Sequence, residues 1–434
     1  MTTSADPLTE NDFRQTLAAM DIDVSARMAI AVSGGADSMC LALLAKNLNV
    51  LALVVDHQLR LESRQEADAT VQRLASFGVS AEILTWHHDE TPSSNIQAAA
   101  REARYRLMSD RCRKLGIKTL LTAHHLDDQA ETFLLRLNRG SGLAGLAGMA
   151  SKRNLEGSLQ LVRPFLDLSK QQLIDVLERS GVGWIDDPSN TSETFDRVKA
   201  RNLLKKPPLE GLNSARLAQT ASALGRARRA IEFYVAKWLD DCVVFHEAGF
   251  ASFSPTSLTT VPEEIGLRAL AHLIRFGSGQ PYGPRFNKLV RLYEDLAKSE
   301  FTGATLSGVC FASDGPGQIL VVRELAAAEP RAAIAHTTVW DGRFNVERTD
   351  QPLECDFQIG CVGENGVLQI KAESDGQLSI PREAALSAPG YFEGDTLIAA
   401  PHLGYGDTDK KLPVLTHRWL TSSDSGKKTY RGVQ

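Results

Sequence analysis

Four uninterrupted apolar runs, MAIAV (28–32), VLALVV (50–55), EILTW (82–86) and KTLLTA (118–123), stand between stretches of helical periodicity. Continuous apolarity of this kind, without alternation, belongs to strands covered on both faces. In the stretch 62–77, Ala67, Val71, Leu74 and Ala75 form one stripe, and in 95–115 Ile96, Ala100, Ala103 and Leu107 form another, as amphipathic helices require. Strand and helix in alternation predict an α/β fold: a doubly wound, Rossmann-like parallel sheet with right-handed crossovers. Ligands of such sheets bind beyond the carboxyl ends of the strands.

The pattern changes after the turn DDPSN (186–190) and the break KKPPLEG (205–211). Residues 212–300 read as helices, and from 301 onward turn signals multiply. ASDGPGQ separates two β-like runs, and ENG (364–366) between FQIGCV and VLQI predicts a hairpin. The expected organisation is a catalytic domain over 1–205, a mainly helical domain over 206–335 and a smaller β-rich α+β domain over 336–434, in line with the length of the chain.

Composition narrows the class. Hydrophobic residues make up 43% and charged residues 23%, as in a globular protein, and the net charge of −5 carries no global sign of a nucleic-acid partner. A local excess exists: ten Lys and Arg between 196 and 237 face only Asp196, Glu210 and Glu232. Such a stretch is either a solvated helix face or a track for phosphates. The six cysteines form no C-x-x-C pair and read as buried reduced thiols. With no run near the ~20 apolar residues of a membrane span and no basic-then-apolar leader, the expectation is a cytoplasmic protein with no membrane partner. A homodimer is compatible with the sequence.

The chemistry concentrates where strands end. Ser33-Gly34-Gly35-Ala36-Asp37-Ser38 leaves the first apolar run and enters a helix, so glycine backbone and the first helical N–H groups converge on one point. That arrangement suits a phosphate; the plain alternative is a tight turn capped by Ser38. The loop is not G-x-x-x-x-G-K-[ST], and it lacks the lysine that grips a γ-phosphate. VDHQLR (55–60) ends the second run, and Arg101 and Arg104 share one side of a helix as a candidate anion clamp. TAHHLDDQAET (122–132) crowds His124, His125, Asp127, Asp128 and Glu131 at the end of the fourth run. Capping explains some carboxylates at a helix start, but three carboxylates and two histidines exceed what a cap needs. Hard carboxylates beside a polyphosphate favour Mg²⁺ over zinc.

The string S-G-G-x-D-S resembles the PP-loop of the N-type ATP pyrophosphatases, which hold a β,γ-pyrophosphate there while a nucleophile attacks the α-phosphate. AVSGGADS, VDHQLR, N-x-Q-A-x-A-R-x-x-R-Y, TAHHLDDQAET, RGSGLAGLAGM (139–149), RPFLDLSK (163–170) and WIDDPSN (184–190) together resemble the tRNA(Ile)-lysidine synthases. The match is close over 28–205, echoed weakly by TLSGVC (305–310) and VWDGRF (339–344), and faint beyond 340. The resemblance implies that ATP adenylates the C2 carbonyl of the wobble cytidine in an isoleucine tRNA with a CAU anticodon. The ε-amine of free L-lysine then displaces AMP. It implies ATP contacts from Ser33, Gly34, Gly35, Ala36, Asp37, Ser38, Asp56, His57, Arg104 and His125, and Mg²⁺ on Asp37 and Asp128. Asp127, Asp128, Glu131 and Arg101 become catalytic candidates, because lysine's ammonium (pKa ≈ 10.4) must lose a proton before it attacks. Arg197, Lys199, Arg201, Lys205 and Lys206 are the expected tRNA contacts. At position 198 this chain has Val where the family has Asn, so a contact from that position is not expected here. A 2-thiolating enzyme of the same superfamily is the alternative; it would need a reactive cysteine pair or thiolate-held cluster.

Overall fold

A computed structural model describes residues 8–60, 62–87, 96–155, 159–185, 196–298, 300–315, 317–335, 337–347, 357–406, 412–422 and 428–430. The expected DDPSN turn lies outside them. The chain divides into two compact units, 1–228 and 229–434. The division falls within a helix, and the expected boundary near 335 lies inside the second unit.

The first unit opens with α1 (Glu10–Ala19), then runs β1 (Met28–Val32), α2 (Ala36–Ala45), β2 (Val50–Asp56), α3 (Ser63–Ser76), β3 (Ala81–Thr85), α4 (Ile96–Lys114), β4 (Thr119–Leu121) and α5 (Leu126–Asn138). It continues through α6 (Leu143–Leu146), β5 (Lys152–Asn154), β6 (Gln160–Val162), α7 (Lys170–Ser180), α8 (Asp196–Lys205) and α9 (Ser214–Cys242), which passes the division. The sheet order is β3-β2-β1-β4-β6-β5, parallel except for β5 on β6. The doubly wound α/β expectation is met, with an antiparallel edge strand added. Apolar side chains leave β1, β2, β4 and β6 on both sides. Met28, Ile30 and Val32 of β1 join α1, α2, α3 and α7 in one core, while Ala29, Leu51 and Leu53 join Met108 and Cys112 of α4 in another. That two-sided burial is why these runs read as continuous. Strand order reverses between β1 and β4, and the crevice at such a reversal is where an open parallel sheet takes its ligand.

The second unit contains β7 (Val243–His246), β8 (Phe250–Phe253), α10 (Glu263–Ser278), α11 (Phe286–Leu296), β9 (Ala304–Leu306), β10 (Val309–Ser313) and β11 (Ile319–Arg323). These strands form one antiparallel sheet, β7-β8-β11-β10-β9, so the stretch expected to be mainly helical also carries a sheet. The hairpin at ASDGPGQ is present as β10–β11. Then come β12 (Ala332–Ala333), β13 (Thr337–Trp340), β14 (Phe344–Glu347), β15 (Gln358–Cys361), α12 (Gly363–Glu373), α13 (Arg382–Ser387), β16 (Pro389–Glu393), β17 (Thr396–Ala400), β18 (Tyr405–Gly406), β19 (Val414–His417), β20 (Leu420–Ser422) and β21 (Lys428–Tyr430). The hairpin expected at ENG is not there: those residues lie in α12. Val367 and Ile370 bury one helical face, and Gly366 sits where an added Cβ would meet Val362 Cγ1 at 2.7 Å and Leu397 Cδ2 at 3.1 Å. The glycine serves close packing of a helix, not a turn.

Candidate active site at the β1–β4 crevice

The Ser33–Ser38 loop is shaped by backbone, not by a side-chain cap. Gly34 has φ +84°, a region costly for residues with a Cβ, and a Cβ there would also meet Thr70 Oγ1 at 2.5 Å. Its carbonyl accepts a hydrogen bond from Ile185 N at 2.9 Å. α2 starts at Ala36 with Gly35 as its N-cap, three residues before the expected Ser38 cap. Ser38 instead braces the loop: its hydroxyl accepts from Ser33 N at 3.1 Å and donates to Gly35 O at 3.0 Å. The first amides of α2 are thereby left pointing out of the helix, together with the positive end of its dipole.

At the end of β4, His125 is the hub. It caps α5, its Nδ1 accepting from Asp128 N at 3.4 Å while Asp128 Oδ2 accepts from His125 N at 3.1 Å. Its Nε2 lies 3.5 Å from Asp37 Oδ2 and 3.5 Å from Asp128 Oδ2, so the β1 and β4 loops meet on one imidazole. Burial works against a charge on His125, but the hydrogen bond to Asp37 and the charges of Asp128, Asp37 and Asp127 outweigh it and raise its pKa above the ordinary 6.5. Burial likewise works to raise the Asp37 pKa; His125, then Lys170 and Arg201, overcome it and hold the carboxyl below its usual 3.8. Lys170 Nζ is 4.0 Å from Asp37, and Lys170 N donates to Asp127 Oδ2 at 2.9 Å.

Asp37 Oδ1 is buried without a hydrogen-bond partner. A buried, unsatisfied carboxylate oxygen is costly unless a cation or donor completes it. Asp37 and Asp128 are hard oxygen donors drawn to the same point, which fits the one or two carboxylates Mg²⁺ takes when nucleotide phosphates supply the rest. Among the described residues no group of three or more His, Cys, Asp and Glu could hold a metal by itself.

Glu131 does not join this cluster as a free base. It is 1% exposed and accepts from Arg197 Nε at 2.9 Å, Arg201 Nε at 2.8 Å and Arg201 Nη2 at 3.4 Å. Arg197 Nη2 reaches on to Asp128 Oδ1 at 3.0 Å. A buried carboxylate needs counter-charge, and Arg197 and Arg201 of α8 supply it to Glu131. Lys199 (paired with Asp196 at 3.5 Å) and Lys205 stay exposed on α8, and Lys206 is exposed just past its end.

Two cavities share Ser33, Val55, Arg101, Arg104 and Arg197. One, about 270 Å³, runs from the loop residues Ser33, Gly35, Asp37 and Ser38 past Ala31, Val32, Leu53, Val55 and Met108 to His124 and Asp128. It sets an apolar lining beside a charged end, which suits a base next to its phosphates. The other, about 650 Å³, is bordered by His57, Arg60, Ser63, Glu66, Thr70 and Arg201. Arg104 donates to His57 Nε2 through Nε at 3.3 Å, with Nη2 3.1 Å from the same atom. Burial, then Arg104, pushes the His57 pKa down to about 4 despite Asp56, keeping an acceptor for that guanidinium at neutral pH. Asp56, expected on ATP, braces the turn after β2 with one oxygen: Oδ1 accepts from Gln58 N at 3.0 Å and Ser63 Oγ at 2.6 Å, while Oδ2 is buried without a partner. Tyr105, His124 and Lys170 belong to the site too. Lys170 was within reach of the sequence, since RPFLDLSK ends on it.

Residues 8–207 match the model of the PP-loop domain, which places this unit among the PP-loop ATP-using enzymes. The tRNA(Ile)-lysidine synthase of Ruegeria pomeroyi is 33% identical over 411 residues, 93% of this chain and 93% of that protein. That of Anaplasma marginale is 34% identical over 426 residues, 92% and 91% of the two chains. The chain belongs to the tRNA(Ile)-lysidine synthase family. Among solved structures, the U34-tRNA thiolase NcsA of Methanococcus maripaludis is similar over 51% of this chain and 77% of that one, at TM-score 0.41 and 17% identity, a likeness that carries no argument.

Proposed function

We propose that this chain is an ATP-dependent ligase that joins free L-lysine to C2 of the wobble cytidine in a CAU-anticodon isoleucine tRNA, through an adenylated cytidine, releasing pyrophosphate and AMP. The observation that carries the reading is the meeting of Asp37 and Asp128 on His125 at the mouth of the glycine loop. The loop amides and the α2 terminus receive the β- and γ-phosphates, and Arg101 and Arg104 stabilise charge on the α-phosphate. Asp37 and Asp128 would hold Mg²⁺, which supplies charge neutralisation for the departing pyrophosphate. Asp127 and Asp128 receive the lysine ammonium and take its proton, and Glu131 acts as a positioning residue through Arg197 and Arg201. Lys199 and Lys205 on α8, and Lys206 just past its end, are exposed and serve as phosphate contacts.

A thiolating activity is disfavoured by the cysteines. Burial pushes the Cys40 thiol up to about 12 and the Cys112 and Cys361 thiols up to about 11, so none of these three is a ready nucleophile. Among the described residues no helix is long and apolar enough to cross a membrane.

Purified protein incubated with ATP, radiolabelled lysine and CAU-anticodon isoleucine tRNA should transfer label to the tRNA, with stoichiometric pyrophosphate. Absence of lysine-dependent label would overturn the proposal, and label in an elongator methionine tRNA would overturn its specificity.

A further inference from the structure

Arg197 occupies the position that the proposed reaction requires a substrate to occupy. Its guanidinium bridges Asp128 Oδ1 at 3.0 Å and Glu131 Oε2 at 2.9 Å, and Asp128 is one of the two carboxylates assigned to the lysine amine. Its side chain is 43% exposed, against 2% for Glu131, and it borders both cavities. Arg201, one helical turn along α8, pairs with Glu131 through both Nε and Nη2. The two arginines therefore differ in kind. If Arg197 leaves, Glu131 keeps a forked partner, and only Asp128 Oδ1 loses its counter-charge. The departing guanidinium has an anion site within the same cavity, where Ser33, Gly35, Arg101 and Arg104 converge.

We infer that Arg197 is an internal stand-in for the lysine ammonium: it neutralises Asp128 in the empty site and moves to the nucleotide phosphates when ATP binds, opening Asp128 to the amine. The inference rests on the ligase reading given above. At Asp128 Oδ1 the amine takes the place of the guanidinium, while the guanidinium gains a polyphosphate to which its fork is suited. Before ATP binds, lysine must compete with a tethered cation, so only the fraction of molecules with Arg197 displaced can take it. The amine is thereby kept out until there is a nucleotide, which orders nucleotide binding before lysine binding without any moving domain.

The test is equilibrium dialysis of radiolabelled L-lysine against the full chain, with and without the non-cleavable analogue α,β-methylene-ATP plus Mg²⁺. Wild type should bind lysine about tenfold or more tightly when the analogue is present. Arg197→Gln, which cannot neutralise Asp128, should bind lysine without nucleotide as tightly as wild type does with it, and Arg197→Lys should fall between. Equal lysine affinity in wild type with and without the analogue would overturn the inference, as would Arg197→Gln binding no tighter than nucleotide-free wild type. Wild type alone carries the first comparison should the variants not fold. Transfer of lysine to tRNA by the same wild-type preparation tests the ligase reading separately.

Discussion

The protein holds two ionic clusters that look alike in composition and differ in how completely they are satisfied. In the second unit, Asp341 accepts from Arg323 Nε at 3.0 Å and Nη2 at 2.9 Å, from Arg343 Nε at 2.7 Å and from Glu329 N at 3.0 Å. Arg343 is 0% exposed and also donates to Ser387 O at 3.1 Å. In the first unit, Asp37 keeps an unpartnered buried oxygen, His125 is shared by carboxylates, and Arg197 is half in solvent. A closed cluster fixes a fold. An open one, with its cost unpaid by the protein alone, awaits a ligand.

The comparison breaks most visibly at Asp341. Asp341→Ala leaves two buried guanidinium groups without their carboxylate and should cost about 3–5 kcal/mol, read as a lowered urea midpoint for the second unit. Asp37→Ala should reverse the balance: the unfolding free energy stays within about 1 kcal/mol of wild type, while tRNA-dependent pyrophosphate release falls roughly a hundredfold to a thousandfold. If Asp37→Ala unfolds the protein and Asp341→Ala does not, the assignment of open and closed clusters is wrong.

Titration sharpens the contrast. The His125 pKa is raised, so its pairing stabilises the fold fully below pH 6.5 and is lost as pH rises through the higher folded value. The Asp37 pKa is lowered, so its share is present above about 3.8 and lost as pH falls through the lower folded value. Histidine NMR should show His125 titrating above 6.5, moving down in Asp37→Asn, whereas His57 should stay neutral until about pH 4. A His125 pKa unmoved by Asp37→Asn would remove the ionic link between the β1 and β4 loops. Smallest of all, the exposed pair Arg64–Asp68, 3.2 Å apart at i,i+4, should contribute within about 0.5 kcal/mol, so Arg64→Ala should leave the urea midpoint nearly unchanged.

How much the sequence disclosed follows the range of the interactions. The strands at 28–32, 50–56, 81–85 and 119–121 were legible because two-sided burial writes itself as unbroken apolarity. β6 was not, since three residues carry too little pattern and its place beside β4 depends on the whole sheet. The ENG signal misled because Asn-Gly marks a turn only where no packed neighbour demands a glycine, and Leu397 and Val362 demand one at Gly366. In the site, the local group His125, Asp127 and Asp128 was evident from spacing. The capture of Glu131 by Arg197 and Arg201 was hidden, because those partners stand 66 and 70 residues away and a basic run reads equally well as a solvated face.

The bond from Ile185 N to Gly34 O also sets a clock. The phosphate loop is spelled by residue 38, yet the chain that holds its carbonyl is made about 150 residues later, and Lys170 and Arg201 arrive in the same late interval. A growing chain on the ribosome thus carries the loop's letters long before it owns the loop's shape. A chain truncated before residue 185 therefore keeps the motif without the brace on the Gly34 carbonyl and without Arg201 beside Glu131.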